Sequence, residues 1–310
     1  MALRIGTSGW NYPSGRGTWT GIFYPLPQDQ DRGFDELRFY AERFNTVEVN
    51  STFYGQPRAT TALGWTRRTP AHFDFSVKLF QKFTHPAMFQ ATAEAGALHH
   101  AITREDVDAF KAGIEPLAVA RRLGAVLAQF PPSFHDTPEA RGYLDWLLQA
   151  FADYPLAVEL RHRSWSDRAV DTRALLDAHS VAWVQIDEPK FESSIVQDFA
   201  PGRSELFYVR LHGRNAAQWW DHAEAEDRYN YLYSAEELKP IAERVREVRA
   251  LGKKVYLYLN NHFSASAVAN ATMLKHMLNE PVTARMPVEL VARYPALEGM
   301  VATLPRARLL

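Results

Sequence analysis

Short segments in which apolar and polar residues alternate recur along the whole chain. Their two-residue period is that of a β-strand, and it predicts eight strands at 3–7, 46–50, 73–78, 125–130, 156–161, 181–187, 206–212 and 254–260. Helix-like stretches lie between most of these segments, and the stretch 34–44 shows a stripe of apolar residues on one helix face. Strands that alternate with helices pair in parallel, so the pattern predicts an α/β fold.

Two helix starts carry specific capping signals. Thr137 and Pro138 combine a capping hydroxyl with proline in the first turn. Ser234 and Glu237 have the spacing of a capping box, and the helix that they begin is expected to end before Gly252. These signals place helices after the fourth and the seventh predicted strands.

The number of strand–helix units favours one architecture. Eight units in 310 residues predict a single (β/α)₈ TIM barrel over 1–310, with extended loops at the C-terminal face of the strands. An open doubly wound sheet would show a GxGxxG turn after an early strand, and Gly6, Gly9, Gly15 and Gly17 do not form one. No linker rich in glycine, serine or charge divides the chain.

The two faces of the predicted strands differ in polarity. The apolar face is expected to pack on the helices and carries Val47, Val49, Phe73, Phe75, Val77, Val158, Leu160, Phe207, Val209, Leu211, Leu257 and Leu259. The alternate face is polar toward the strand ends and carries Glu48, Asn50, Asp74, Ser76, Lys78, Gln129, Glu159, Arg161, Gln185, Asp187, Arg210, His212, Tyr258 and Asn260. This arrangement predicts a ring of polar groups at one mouth of the barrel, where barrel enzymes keep their chemistry.

Charges inside such a ring must be paired with one another or must serve a ligand, because burying an unpaired charge is costly. Self-satisfied pairing is the better interpretation for the deeper Asp74, Tyr208 and Tyr256. A functional role is favoured for the residues at the strand ends. An excess of cationic donors there would suit an anionic or phosphate-bearing ligand.

Composition narrows the classes of partner and compartment. The formal net charge of −1 gives no electrostatic argument for a general nucleic-acid or membrane-surface binder. The chain has no cysteine, no apolar run of the roughly 20 residues that span a bilayer, and no visible signal peptide after Met1. A cytoplasmic location is therefore expected, and nothing in the pattern indicates an oligomeric state.

A set of short segments, in order along nearly the whole chain, resembles the YecE-like family, known as domain of unknown function 72. The segments are GTSGW (6–10), FYP (23–25), TVEVNSTFY (46–54), FSVK (75–78), TH (84–85), QFPPSF (129–134), VELRHRSW (158–165), RLHG (210–213) and NNH (260–262). The resemblance implies a TIM barrel, in agreement with the strand count, and implies no activity, because the role of the family is not established. Its likeness to endonuclease IV and xylose isomerase barrels is an analogy of fold.

The leading hypothesis is an enzyme, a hydrolase or isomerase, that acts on a small anionic substrate, phosphorylated or carbohydrate-like. Glu48, Glu159 and His212 would supply the acid–base chemistry, and Lys78, Arg161 and Arg210 would hold the anionic part. Further residues that follow the strands are predicted to bind the substrate: Thr7, Ser8, Trp10, Asn50, Thr52, Tyr54, His85, Gln129, His162, Trp165, Asp187, Asn260 and His262.

Two other chemistries use the same strand ends. A divalent metal could be held by Glu159, Asp187, His212 and His262, although the neighbouring arginines would repel a cation; no other cofactor is indicated. Lys78 could form a Schiff base, and its pairing with Glu48 or with an anion is the preferred reading. The backbone amides of 7–9 could also face a phosphate.

Two other functions are compatible with the sequence. A nucleic-acid phosphodiesterase or lesion-binding protein would need a basic strip at the mouth, drawn from Arg16, Lys82, Arg163 and Arg214. A non-catalytic metabolite-binding protein would show unperturbed titration of its carboxylates and histidines. The aromatic residues of 219–233 would form either a lid or the core of an inserted helix pair. His99 and His100 are expected at the surface.

Overall fold

Parallel strands and helices alternate along the chain in the computed structural model, which describes residues 2–85 and 102–304. His99 and His100 lie outside these ranges. The strands are β1 (Leu3–Thr7), β2 (Thr46–Val49), β3 (Asp74–Lys78), β4 (Leu123–Gln129), β5 (Leu156–Glu159), β6 (Ala182–Trp183), β7 (Gln185–Asp187), β8 (Leu206–Leu211) and β9 (Lys254–Leu259).

Helices follow most of the strands. They are α1 (Glu36–Ala41), α2 (Ala59–Arg68), α3 (Gln81–Thr84), α4 (Arg104–Val119), α5 (Pro138–Ala150), α6 (Arg163–Asp167), α7 (Ala169–Ala178), α8 (Ala235–Ala250), α9 (Ser266–Met277) and α10 (Val288–Arg293). Within the described ranges, none of them combines the length and the apolar character that crossing a bilayer requires.

The strands form two sheets in which all neighbours run parallel. One sheet has the order β1-β9-β8-β7 and the other has the order β2-β3-β4-β5-β6. Ser8 forms an isolated parallel bridge with Glu48, and the Gly9 amide donates to the Glu48 carbonyl at 2.8 Å. Only Val184 separates β6 from β7, and its amide donates to the Val158 carbonyl at 2.9 Å. The chain is therefore an α/β protein with parallel sheets.

The predicted elements agree closely with this structure. Each predicted strand is present within about two residues, except that 181–187 is divided into β6 and β7. Thr137 caps α5, and Ser234 and Glu237 form a complete capping box on α8, which ends at Ala250 before Gly252. The predicted helix at 34–44 is shorter, because α1 begins after its cap Asp35.

The predicted apolar face is buried in a hydrophobic core that extends from Leu3 to Leu297. The opposite faces of the two sheets meet through polar side chains. At the end of the strands opposite the predicted mouth, Asp74 Oδ2 accepts from Arg4 Nε at 2.7 Å and from the Tyr256 hydroxyl at 3.0 Å. Lys254 Nζ lies 3.3 Å from the same oxygen. This cluster is satisfied within the protein, as expected for Asp74 and Tyr256.

The faces of β7 are the reverse of those predicted. Ile186 pairs with Arg210, and Asp187 pairs with Leu211. Since paired residues of neighbouring strands lie on the same face of a sheet, Gln185 and Asp187 lie on the opposite face from Arg210. The prediction that they join the polar ring is wrong, and a one-residue shift in phase is the reason.

Candidate active site

Arg210 is the centre of a buried ion-pair network that joins the two sheets. Its Nη2 and Nε donate to Glu48 Oε1 and Oε2 at 2.7 and 3.0 Å, and its Nη1 donates to Glu159 Oε2 at 2.5 Å. The Tyr208 hydroxyl also donates to Glu48 Oε2, at 2.7 Å. Both carboxylates and the guanidinium are essentially inaccessible to solvent, so their charges must be balanced within the protein.

A second guanidinium extends the network. Arg161 Nε donates to Glu159 Oε1 at 2.7 Å, and Nη2 lies 3.2 Å from His212 Nε2. The other nitrogen of that ring, Nδ1, lies 2.9 Å from the Asn260 side-chain nitrogen. On its far side, Arg161 Nη1 approaches the buried carboxyl of Glu188 at 3.8 Å.

The network fixes the protonation states of its members. Burial raises the pKa of Glu159, but the guanidiniums of Arg210 and Arg161 outweigh it and hold that pKa well below its usual range. Burial lowers the pKa of His212 to about 3, against the opposing effect of Glu159. Glu159 is therefore a fixed carboxylate and His212 a neutral imidazole at neutral pH. Burial raises the pKa of Glu188.

A pocket of about 210 Å³ opens above this network at the ends of the strands. Its floor reaches Arg210, and the side chains around it combine three carboxamides, one amine and a set of aromatic rings. The lining residues are Tyr12, Asn50, Phe53, Tyr54, Lys78, Gln129, Arg210, Tyr229, Asn260 and His262.

Lys78 brings an unpaired amine into this pocket. Its Nζ lies 4.0 Å from the centroid of the Phe53 ring and has no hydrogen bond or ion pair with any described residue. One expected partner, Glu48, is bonded by Arg210 and Tyr208 instead, so the predicted pairing with Glu48 is wrong, and the alternative pairing with an anion stays a prediction. Burial and the Arg210 guanidinium lower the pKa of Lys78 to about 7.

An aromatic stack forms the wall next to β9. The Tyr12 ring lies parallel to the His262 ring with 4.3 Å between their centroids. The Tyr229 ring packs on the same imidazole at a tilt, with 4.8 Å between centroids. Burial lowers the pKa of His262 to about 4, so its ring is neutral, and its buried Nδ1 has no hydrogen-bond partner in the described structure. Asn50 Oδ1 is unpartnered in the same way.

Comparison with known proteins assigns this chain to a family. The sequence model described as "Protein of unknown function DUF72" matches residues 4–291. The chain belongs to the DUF72 family. The UPF0759 protein YunF of Bacillus subtilis is 28% identical over 288 residues, which cover 89% of this chain and 95% of that protein. The UPF0759 protein YecE of Escherichia coli K12 is 27% identical over 175 residues, or 56% of this chain and 53% of that protein.

Solved structures of DUF72 proteins share the fold. One from Thermotoga maritima is 35% identical with a TM-score of 0.74, over 90% of this chain and 100% of that one. Another, from Enterococcus faecalis, is 25% identical with a TM-score of 0.75, over 92% of this chain and 99% of that one. These names carry no activity, so the function of this DUF72 chain must be argued from its site.

The sequence predictions for this DUF72 site fall into two groups. The structure brings together, in the network or around the pocket, Glu48, Asn50, Tyr54, Lys78, Gln129, Glu159, Arg161, Arg210, His212, Asn260 and His262. It places elsewhere, or uses for other contacts, Thr7, Ser8, Trp10, Thr52, His85, His162, Trp165 and Asp187.

The backbone amides after β1 are already used within the protein. Thr7 N bonds the Tyr40 hydroxyl at 2.8 Å, Ser8 N bonds the Leu259 carbonyl at 2.9 Å, and Gly9 N bonds Glu48. They do not form a phosphate cradle, and the Thr7 hydroxyl bonds the Gly9 carbonyl at 2.6 Å. The buried Ser8 hydroxyl has no partner among the described residues.

Other predicted binding residues have structural roles. The Thr52 hydroxyl donates to the Lys78 carbonyl at 2.6 Å, and so fixes the end of β3. Trp10 packs edge-to-face on Trp65 with 6.0 Å between centroids. The indole of the buried Trp165 donates to the Phe134 carbonyl at 2.7 Å.

Two predicted histidines lie outside the pocket lining. His162 stacks on His135 with 3.8 Å between centroids and bonds Ser164. His85 packs edge-to-face on the pocket residue Phe53, with 5.0 Å between the ring centroids. Burial, with Lys78 contributing, lowers the pKa of His85 to about 4.

The four proposed metal ligands do not converge. Asp187 accepts from both Arg214, at 2.9 and 2.8 Å, and the Tyr233 hydroxyl, at 2.7 Å. Although the Asp187 carbonyl accepts from the His212 amide, the Asp187 carboxylate lies on the opposite face of the sheet from Arg210 and is bonded to other residues. In the part of the chain that the structure describes, no group of three or more histidine and acidic side chains is arranged to hold a metal ion.

The loop after β8 does not form the inserted helix pair that was one of the two expectations for it, and its role as a lid stays a prediction. It contains a short 3₁₀ turn, Asp227–Tyr229, and no helix pair. Trp219 is buried, and its ring centroid lies 6.3 Å from that of Tyr229. Trp220, by contrast, is 60% exposed. Tyr229 is the residue of this loop that reaches the pocket.

Sequence reasoning missed Tyr12, Phe53 and Glu188. Phe53 lies inside the segment TVEVNSTFY, between two residues that were singled out. Glu188 follows Asp187 directly and occupies the face that was assigned to its neighbour. Tyr12 comes five residues after β1, and no periodic signal identifies a loop residue of this kind.

Proposed function

We propose that this DUF72 protein is an enzyme that acts on a small anionic compound, phosphorylated or carbohydrate-like, in the strand-end pocket. The reaction would be a hydrolysis or an isomerisation driven by acid–base chemistry. The observation that carries the proposal is the amine of Lys78, which faces the pocket without a hydrogen-bond or ion-pair partner among the described residues and has a pKa lowered to about 7.

The charge balance at the site supports an anionic substrate. The carboxylates of Glu48 and Glu159 are matched by the guanidiniums of Arg161 and Arg210. A third carboxyl, that of Glu188, lies 3.8 Å from Arg161 on the far side of the network. The protonated form of Lys78 adds a positive charge that is not directly paired with any carboxylate of the described residues. An anionic group bound there would gain a charge-assisted hydrogen bond from the amine.

Acid–base catalysis is best assigned to Lys78, because an effective catalytic group titrates near the working pH. Glu48 and Glu159 would act as positioning residues, since both hold the Arg210 guanidinium at the pocket floor. The carboxamides of Asn50, Gln129 and Asn260 would bond substrate hydroxyls. The Tyr54 and Tyr229 rings at the pocket offer apolar faces to a sugar ring.

The two sheets would form one closed (β/α)₈ barrel. The support is the Ser8–Glu48 bridge between β1 and β2, and the single residue, Val184, between β6 and β7. Closure predicts that the Gly9 amide, which bonds the Glu48 carbonyl between the two sheets, resists hydrogen exchange as strongly as the amides within β9. Fast exchange of the Gly9 amide would contradict closure.

Phosphate-dependent stabilisation tests the function. Inorganic phosphate and ribose 5-phosphate should raise the Tm of the wild type, because ligands that bind the folded state stabilise it; unphosphorylated ribose should raise it less. The Lys78→Met variant should lose the response to both phosphates, and Lys78→Arg should retain part of it.

Lys239→Met is the matched control, because Lys239 is exposed on α8 and is not one of the residues that line the strand-end pocket. It should respond like the wild type. An equal response of Lys78→Met and the wild type to phosphate would overturn the proposal.

A further inference from the structure

We propose that the substrate carries a carbonyl group and that the Lys78 amine adds to it to form a Schiff base. This inference rests on the proposed function, because it uses the same pocket, and it names the chemical class of the substrate. It also gives Lys78 a covalent role beyond binding or proton transfer.

The geometry leaves the amine of Lys78 free to react. Within the described ranges no side chain bonds or pairs with Nζ, although two carboxylates, Glu48 and Glu159, belong to the same network. Both carboxylates are held by Arg210, which prevents them from pairing with the amine. The Phe53 ring lies 4.0 Å from Nζ and covers one side with apolar surface.

The surrounding charges favour the uncharged amine, which is the nucleophilic form. Burial is the largest influence, and the cations Arg210 and Arg161 reinforce it, whereas Glu159 and Glu48 oppose it. The imidazole of His85, behind Phe53, is itself held neutral. With a pKa lowered to about 7, a large share of Lys78 is uncharged at neutral pH.

The chemistry balances without any further reactant. The amine lone pair attacks the carbonyl carbon, the nitrogen gives up one proton while the carbonyl oxygen takes up one, and a carbinolamine forms. The hydroxyl then takes up a proton and leaves as water while the nitrogen gives up its second proton, which yields the imine; the reverse addition of water releases the lysine. No oxidant or reductant is consumed.

Two pocket residues offer sites for the protons that move. The Tyr229 hydroxyl has no hydrogen bond to any residue that the structure describes, and Tyr229 lines the pocket with Lys78. His262 lines it too, and its Nδ1 is unpartnered. Asn50, Gln129 and Asn260 provide carboxamides for the hydroxyl groups of a short sugar-like chain.

The chain contains a natural control for reactivity that arises from burial alone. Lys275 is also buried, and burial lowers its pKa to about 8. Its Nζ, however, donates to the Arg43 carbonyl at 2.9 Å and is not part of the strand-end pocket. Reaction at Lys78 without reaction at Lys275 would therefore report on the pocket.

The test is reductive trapping of the imine on the full chain. Wild-type protein is treated at pH 7 with glycolaldehyde phosphate, a two-carbon aldehyde that bears a phosphate, and sodium cyanoborohydride, and the adducts are mapped by peptide mass spectrometry. At pH 7 about half of Lys78 but only about a tenth of Lys275 is uncharged, so Lys78 should be modified about fivefold faster than Lys275. It should also be modified at least about tenfold faster than Lys239, which is exposed outside the pocket.

Inorganic phosphate should protect Lys78 and leave the other lysines unprotected. Modification of Lys78 no faster than that of Lys239 would overturn the Schiff-base proposal. If phosphate nevertheless raises the Tm of the wild type and not that of Lys78→Met, the proposed function survives that failure. If the phosphate response is also absent, both proposals fall.

Discussion

Arg210 shows how single residues organise this site. It lies on the floor of the pocket, and its guanidinium bonds carboxylates from both sheets, Glu48 on β2 and Glu159 on β5. The cost of burying these charges is offset by their mutual hydrogen bonds, which makes each member necessary to the others. Two carboxylates that would otherwise compete for Lys78 are thereby occupied.

The Glu159→Gln substitution tests this dependence. It leaves Arg210 and Arg161 facing a neutral amide, so it should lower the free energy of unfolding by about 3–5 kcal/mol, as for breaking a buried pair. Urea unfolding measures the change. This expectation differs from that of an exposed catalytic carboxylate, which could be replaced without unfolding the protein.

Glu243→Gln is the control for the loss of a carboxylate, because Glu243 is exposed on α8. Its effect should stay within about 0.5 kcal/mol, as is usual for surface sites. If Glu159→Gln were equally mild, Glu159 would not hold the two guanidiniums as described.

The lowered pKa of Lys78 has a consequence for stability. Between its folded pKa of about 7 and its ordinary value of 10.5, the unfolded chain binds a proton that the folded chain does not. Stability should therefore fall as the pH falls through this window. Lys78→Met removes the free-energy cost of keeping this amine buried and uncharged. Its Tm should therefore exceed that of the wild type at pH 7, and the difference should shrink as the pH rises.

Thermal melts from pH 7 to about pH 10 measure this difference across the relevant window. Lys239→Met, which alters an exposed lysine, should show no such pH dependence. A Tm for Lys78→Met that is equal to or below the wild-type value at pH 7 would contradict the account of Lys78.

At the scale of elements, local signals identified the strands and the helix caps correctly. Hydrophobic alternation and the capping box of α8 depend on neighbours in sequence, so they can be read without the fold. The phase of β7 could not be read in this way. Val184 and Ile186 alternate with Gln185 and Asp187, and only pairing with β8 decides which set faces the network.

The correct phase predicts that Asp187 is not part of the pocket. Asp187→Asn weakens contacts with Arg214 and Tyr233, so it should lower the Tm. The additional stabilisation by inorganic phosphate should stay as in the wild type, because the pocket is unchanged. Loss of the phosphate response in this variant, with the fold intact by circular dichroism, would contradict the assigned face.

Only part of the site could be predicted, again because sequence patterns report on residues that are close together in the chain. Glu48, Glu159 and Arg210 follow from the alternation on three strands, and Lys78 follows from a fourth. Tyr12, which comes from a loop, and the sharing of Arg210 between two carboxylates depend on contacts between residues distant in sequence. No local pattern reports such contacts.

For the whole molecule, charge bears on the nucleic-acid alternative. The net charge is −1, and each of the four cations proposed for a basic strip is paired with a carboxylate. The pairs are Arg16–Asp227, Lys82–Asp106, Arg163–Asp167 and Arg214–Asp187. A cation with a carboxylate beside it adds no net positive charge to the strip that a nucleic-acid backbone would require.

We therefore expect no appreciable binding to a fluorescein-labelled DNA duplex at about 150 mM salt, measured by fluorescence anisotropy. Affinity in the submicromolar range, with a steep loss as the salt rises from about 50 to 200 mM, would favour the nucleic-acid alternative instead.

The most direct test of the central claim is the titration of Lys78 itself. Protein labelled with ¹³C at the lysine ε-carbons is titrated by NMR, and the Lys78 signal is assigned as the one absent from Lys78→Met. The account predicts an apparent pKa near 7 that shifts upward when inorganic phosphate binds. A Lys78 signal that titrates near the ordinary 10.5, with or without phosphate, would contradict it.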